Sequence, residues 1–306
     1  MNPVQKSDNR LGIDLGGTKI EAIVMDVEGN IVQRERTTTP NDYQSIIDAI
    51  SSIVDQLTID DQTPLGIGTP GAISLLTGLM KNCNSTCLNG QPLPQALETK
   101  LGRRVKIAND ADCFTLSEAS DGAAAGSNSV FGVILGTGVG GGICINQKLL
   151  SGVSAICGEW GHNTLALQAY QGDMTPKPGR PCYCGRYDCV ETWLSGPGLK
   201  KSYADLTGRS LEAQEIVKLA EQGDKAATGI LEQYYNLLAL ALSVVINILD
   251  PESIVFGGGV SNIKTIYSEV NRYLPLYVFS DQFNNKIVPA KHGDSSGVRG
   301  AAWLWP

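Results

Sequence analysis

Two stretches of this chain read alike, and the likeness limits what it can fold into. Leu11-Gly-Ile-Asp-Leu-Gly-Gly-Thr-Lys19 is an apolar strand that runs into glycines and is followed by a second apolar run, Ile20 to Met25. Phe131-Gly-Val-Ile-Leu-Gly-Thr-Gly138 has the same layout and is followed by Ile143-Cys-Ile145. Aligned at a constant offset, Gly12 matches Gly132, Leu15 matches Leu135 and Gly16 matches Gly136. A strand–glycine turn–strand unit used twice predicts two related lobes, each giving a hairpin to one cleft. The match is short and uses common residues, so chance is the competing account.

Between and after these stretches, strands alternate with helices. Helices are expected over Asp42 to Gln56, from about Ala111 to Ser120, around Leu211 to Glu221 and over Ala226 to Leu249. Strands are expected at Leu65 to Gly68, Arg104 to Ala108 and Ser253 to Phe256. That alternation indicates an α/β architecture with buried sheets. With 306 residues, 42% hydrophobic and 18% charged, the chain can fill two cores. Met1 to Arg10 is polar and carries no secretory signal. Leu237 to Leu249 is too short to span a bilayer and reads as a buried helix. A cytoplasmic protein without membrane partners is expected. A net charge of -7 argues against a nucleic-acid partner but leaves a metal-neutralised nucleotide open.

Asp14-Leu-Gly-Gly-Thr-Lys19 sets a carboxylate at a strand end before two glycines, a hydroxyl and an ammonium. Glycines let backbone N–H groups approach phosphate oxygens, and Asp14 can hold a magnesium ion. An unliganded hairpin turn accounts for the same residues equally well. Gly136-Thr-Gly-Val-Gly-Gly141 fits the dinucleotide pattern, with Glu159 near its acidic position, but Gly142 leads into a strand where that motif needs a helix. A hairpin offering amides to phosphates fits better. Gly257-Gly-Gly259 either admits a flat base or is a plain turn. Asn109-Asp110-Ala-Asp112 follows a strand and opens a helix; a carboxylate there caps the helix or orients and deprotonates an attacking alcohol. These grounds do not separate Asp110 from Asp112.

Cys182, Cys184 and Cys189 follow His162, one of only two histidines in the chain. Three thiolates and an imidazole form the closed four-coordinate set of structural zinc. A Cys182–Cys184 disulfide is disfavoured by its small ring and by the expected compartment. The metal would order Ser151 to Ser195, and the other five cysteines read as buried thiols.

Taken together, these motifs resemble the ROK family of sugar kinases and sugar-responsive repressors, in the actin-like ATPase superfamily. Gly68-Thr-Pro-Gly71, Asn109-Asp110, Gly158-Glu-Trp-Gly-His162 and Cys182-x-Cys-Gly-x-x-x-Cys189-x-Glu191 carry the likeness. Lys81 to Gly90 and the tail Lys291 to Trp305 are most similar to the bacterial fructokinase (mannokinase) branch. The resemblance implies a two-lobed actin-like (ribonuclease H-like) fold with its active site in the interlobe cleft. It implies a smaller lobe at 1–120, with a helix at about 293–306 packing back on it, and a larger lobe at 121–292 with the zinc segment 158–191.

It further implies ATP, Mg2+ and Zn2+, with Asp110 as catalytic base. Gly71, Asn109, Asp110, Glu159, His162 and Glu191 would bind the sugar. Gly12, Ile13, Asp14, Leu15, Gly16, Gly17, Thr18 and Lys19 would hold the nucleotide, with Leu135, Gly136, Thr137, Gly138, Val139, Gly140, Gly141, Gly142, Gly257 and Gly258. One ring nitrogen of His162 would meet zinc and the other would stay free for a sugar hydroxyl. The family usually has glycine where this chain has Asp188. The expected activity is a fructokinase making fructose 6-phosphate, with mannose as a further substrate; N-acetylhexosamine or glucose kinase is the alternative. A homodimer is plausible from the family. Repressors of the family carry an N-terminal helix-turn-helix, for which ten residues leave no room; a dehydrogenase is the third reading.

Overall fold

The computed structural model describes residues 9–170 and 179–305. Part of the expected zinc segment, 171–178, the polar start at 1–8 and the last residue of the expected C-terminal helix lie outside the described residues. The chain opens with the meander β1 (Arg10–Leu15), β2 (Lys19–Met25) and β3 (Ile31–Thr38). It continues through α1 (Tyr43–Asp55), β4 (Leu65–Thr69), the short pair β5 (Ala72–Ile73) and β6 (Met80–Lys81), α2 (Leu93–Leu101), β7 (Val105–Asn109) and α3 (Asp110–Ser120). A second meander follows: β8 (Ser129–Leu135), β9 (Val139–Ile145) and β10 (Lys148–Leu149). Then come α4 (Val190–Leu194), α5 (Gly196–Thr207), α6 (Ala213–Glu221), α7 (Lys225–Leu249), β11 (Ser253–Gly257), α8 (Ile266–Tyr273), β12 (Lys286–Pro289) and α9 (Ser296–Trp303).

The sheets are ordered β3-β2-β1-β4-β7 and β10-β9-β8-β11-β12. In each, the first strand of the meander lies between its hairpin mate and a parallel strand, β4 beside β1 and β11 beside β8. The repeat seen in the sequence is therefore a repeat of topology. Helix ends move by a residue or two from the expected limits, because capping side chains set them. Asp42 stays outside α1 and accepts from the Ser45 amide at 2.9 Å, Asn109 caps α3, and Glu212 caps α6.

The described chain divides into two compact units, Met1–Gly126 with Gly142–Cys157 and Lys291–Pro306, and Ser127–Gly141 with Gly158–Ala290. In the first, the strand period of two sorts the core. Ile20, Ala22 and Val24 join Leu11, Ile13, Leu15, Ile46 and Ile50, while Ile23 and Met25 face Val298 and Ala302 of α9. Glu118, fully buried on α3, secures the approach to α9 by accepting from the Ser296 hydroxyl (2.8 Å) and the amides of Lys291 (3.0 Å) and His292 (3.2 Å).

The second unit is centred on α7. By length and composition this helix could cross a membrane, but Ile230, Leu237, Leu238, Leu242 and Ile246 are buried within the unit. The Tyr234 hydroxyl donates to the Leu194 carbonyl at 2.8 Å and joins α7 to the end of α4.

Candidate active site

In the first unit the chain reverses between β1 and β2 through Gly16, Gly17 and Thr18. The Gly16 amide donates to the Lys19 carbonyl at 3.0 Å, and the Thr39 hydroxyl donates to the Gly16 carbonyl at 2.7 Å. Gly17, Thr18 and Lys19 are exposed. Such a turn offers amides, a hydroxyl and an ammonium to an oxyanion. Lys19 is held 3.0 Å from Glu21, a buried carboxylate that also pairs with Arg34 at 3.1 Å and Arg36 at 3.0 Å. Burial alone would raise the pKa of Glu21, yet hydrogen bonds from Arg36 and Lys19 keep it below the ordinary value.

Asp14 lies on the same face of β1 as Gly12, beside the start of α9, where a Cβ on Gly297 would sit 3.5 Å from its carboxylate. Its pKa is pushed up to about 6, first by burial and then by the charges of Asp110 and Glu21, against the pull of Lys19. A carboxylate held partly protonated by burial and by a second, exposed carboxylate is a setting that favours a hard cation.

Asp110 is the first residue of α3, and both its carboxylate (2.8 Å) and the Asn109 side chain (2.9 Å) accept from the Ala111 amide. The Asn109 amide group donates to the Gly71 carbonyl at 3.4 Å. Gly71 has no room for a side chain: a Cβ there would lie 2.5 Å from the Cys83 sulfur and 2.7 Å from the Lys81 carbonyl. The structure thus gathers Asp14, Gly71, Asn109 and Asp110 within one unit. The charge of Asp110 bears on Asp14, and that of Asp112 on Cys113 and Cys144.

In the second unit, β8 turns into β9 through accessible Gly136, Thr137 and Gly138, with the Gly136 amide 2.9 Å from the Gly138 carbonyl. A Cβ on Gly138 would lie 3.2 Å from Glu191 Oε2, so the turn and this carboxylate are neighbours. Gly258 is exposed, at φ 82°, with its Cα against the Leu135 backbone.

Several residues assigned to the nucleotide do other work. Ile13, Leu15, Leu135 and Val139 are core side chains, and Gly257 is a buried strand residue. A Cβ on Gly12 would lie 2.5 Å from the Ala302 nitrogen, so this glycine admits α9. Gly141 admits Trp160, 2.9 Å from such a Cβ, and Gly142 admits Thr115 at 2.5 Å. The Gly140 carbonyl accepts from the Trp160 indole at 2.9 Å.

His162, Cys182, Cys184 and Cys189 bring one ligand atom each to within 4.8 Å of one another. Cys184 and Cys189 sulfurs are 3.6 Å apart, as are the Cys182 sulfur and His162 Nδ1. Tetrahedral zinc bonds of about 2.0–2.3 Å place ligands roughly 3.5–3.8 Å apart, so the set fits the ion. All eight cysteines are free. An amide hydrogen bond from Arg186 brings the Cys184 thiol down to about 6, while burial pushes Cys182 up to about 12 and raises Cys189. A dication would displace the remaining protons.

The second ring nitrogen of His162 is not free: Nε2 lies 2.9 Å from the Tyr183 hydroxyl, and the rings meet edge to face. Glu191 Oε1 is 3.1 Å from the Cys182 sulfur and 3.7 Å from His162 Nδ1. Glu159 precedes the short turn Trp160–His162. Tyr183, Arg180 and Trp193 were not singled out by the sequence. Their partners are visible only once the hairpin between Arg180 and Asp188 has closed.

The model of the ROK family matches residues 10–306. The chain is 40% identical over 303 residues to an N-acetyl-D-glucosamine kinase of Pasteurella multocida strain Pm70, covering 97% of this chain and 99% of the relative. Among solved structures it is similar to a ROK hexokinase from Thermus thermophilus, with TM-score 0.84 and 27% identity over 96% of this chain and 97% of the other. A ROK family glucokinase from Streptomyces griseus, in complex with glucose and AMPPNP, matches with TM-score 0.76 and 27% identity, covering 97% and 98%.

Proposed function

The chain belongs to the ROK family, and from that premise we propose that this ATP-dependent sugar kinase phosphorylates the 6-hydroxyl of N-acetyl-D-glucosamine. The observation that supports the chemistry best is Asp110 at the exposed start of α3, in the same unit as Asp14 and the exposed glycine turn that follows it. Asp110 accepts the proton of the sugar hydroxyl as its oxygen attacks the terminal phosphorus of ATP and the bond to ADP breaks. Amides of Gly17 and Thr18 and the Lys19 ammonium, and in the other unit the amides of Thr137 and Gly138, offer donors to phosphate oxygens. Magnesium, when bound, neutralises phosphate charge, with Asp14 as its holder in the chain. Asn109, Glu159, His162 and Glu191 supply groups for the sugar hydroxyls; for His162 this requires Tyr183 to give way, and Tyr183 is 83% exposed.

Zinc is the ion that suits the thiol–imidazole set, and bound there it would fix Cys182, Cys184, Cys189 and His162 against one another. Chelation is then expected to remove sugar binding before the chain unfolds; loss of both at one chelator concentration would contradict this.

The N-acetyl-D-glucosamine kinases among its relatives favour N-acetyl-D-glucosamine, whereas the sequence of Lys81 to Gly90 and of the tail favours fructose, which keeps fructose 6-phosphate formation as the second reading. A kcat/KM series over N-acetyl-D-glucosamine, fructose, mannose and glucose, read as ADP release, decides between them. Higher kcat/KM for fructose would replace the first reading by the second. No ADP with any hexose would end the kinase proposal.

A further inference from the structure

Resting on the zinc reading above, we propose that Asp188 is a positioning residue. Its carboxylate holds the hairpin of Cys182, Cys184 and Cys189 against α4, so that the ligand set and Glu191 are in register before any metal arrives.

Asp188 has φ 54°, a left-handed conformation that glycine adopts more easily than any other residue. A carboxylate at such a position needs a compensating interaction, and it has two. Oδ1 accepts from the Arg180 amide at 2.8 Å and from the Trp193 indole at 3.1 Å. The backbone adds a pair, with the Asp188 amide donating to the Arg180 carbonyl and the Leu165 amide donating to the Asp188 carbonyl, each at 2.8 Å. Gly179 leaves space for the other oxygen: a Cβ there would lie 2.7 Å from Oδ2.

The two donors are themselves anchored. Arg180, almost fully buried, stacks its guanidinium 3.7 Å over the Trp193 ring. It donates to the carbonyls of Thr192 (2.9 Å) and Gly198 (3.2 Å), the Ser202 hydroxyl (3.0 Å) and Asp205 (3.3 Å). Asp188 thus links one end of the metal hairpin to α4 and α5 by contacts that need no ion. Cys189 is the residue just before α4 and Glu191 is its second residue, so the direction in which α4 leaves the hairpin sets where both point.

The test compares wild type with Asp188→Gly, which suits the backbone but removes the acceptor, and Asp188→Asn, which keeps an acceptor oxygen and tolerates positive φ. In metal-stripped protein, hydrogen exchange at the Cys182 and Leu165 amides is expected to quicken about tenfold in Asp188→Gly and to stay within twofold in Asp188→Asn. In zinc-loaded protein, transfer of zinc to a colorimetric chelator is expected to run about tenfold faster for Asp188→Gly. Its KM for the hexose should rise several-fold, with kcat within about twofold. Wild-type exchange in Asp188→Gly overturns the proposal, as does stripped wild type without protection at these amides. Wild type that takes up no zinc ends the metal reading, while exchange still decides the brace.

Discussion

The hairpins β1–β2 and β8–β9 occupy the same place in two sheets of the same strand order, yet they carry different chemistry. Gly12, Leu15 and Gly16 match Gly132, Leu135 and Gly136, but Ile134 stands where the first hairpin has Asp14, and Val139 where it has Lys19. The first turn lies beside four charged groups, Lys19, Glu21, Arg34 and Arg36, and beside a carboxylate raised to about 6. The second has Glu191 as its nearby carboxylate, delivered by α4. Topology and glycine thus supply exposed amides twice, while acid–base groups are a separate decision of the sequence. The first hairpin is where the proposed reaction should be sensitive to charge, and the second where it should be sensitive to shape.

The largest test of that division is Asp110→Asn. If proton acceptance resides with the first unit, kcat falls about 10³-fold or more while calorimetry finds sugar affinity within a few-fold of wild type. Normal turnover would remove Asp110 from the mechanism. Asp14→Asn comes next, with a loss in kcat/KM of about 10²-fold and a changed pH profile. Asp14 ionises near 6, so wild-type kcat/KM should fall as pH drops through that value, and the variant should lack this limb.

Stability runs the other way. A carboxyl whose folded pKa is raised binds more protons folded than unfolded between about 4 and 6, so rising pH over that window costs the fold up to ~3 kcal/mol at this site. Denaturation of Asp14→Asn across the same window should show the slope removed. An unchanged slope would mean that Asp14 titrates normally.

The pattern of apolar residues made the strands, the helices and the repeated hairpin legible, because burial on one face every second or every 3.6 residues is written locally. The gathering of the thiols and the imidazole was legible for another reason: three cysteines within eight residues and a rare histidine leave few alternatives. Glu118 meeting Lys291, His292 and Ser296, or Arg180 meeting Asp205, joins residues far apart in the chain or across a turn, and no local spacing announces such pairs. Glycine was the most misleading letter. At Gly12, Gly141 and Gly142 the missing side chain makes room for protein, and at Gly17 for solvent, but the sequence writes all four alike.

That ambiguity gives the two smaller tests, both within the first hairpin. Gly12→Ala forces a methyl to 2.5 Å from the Ala302 nitrogen and the Val298 carbonyl, so α9 must shift. Overpacking of this kind costs about 1–3 kcal/mol, read as a lower Tm, with KM for ATP little altered. Gly17→Ala should do the reverse. Its nearest neighbour would be the Ser85 hydroxyl at 3.8 Å, an ordinary contact, and Gly17 is exposed, so Tm stays within about a degree. The added methyl stands where phosphate oxygens would approach the turn amides, and KM for ATP should rise a few-fold. If Gly17→Ala binds ATP as wild type does while Gly12→Ala loses it, the glycines of this hairpin have been assigned the wrong way round.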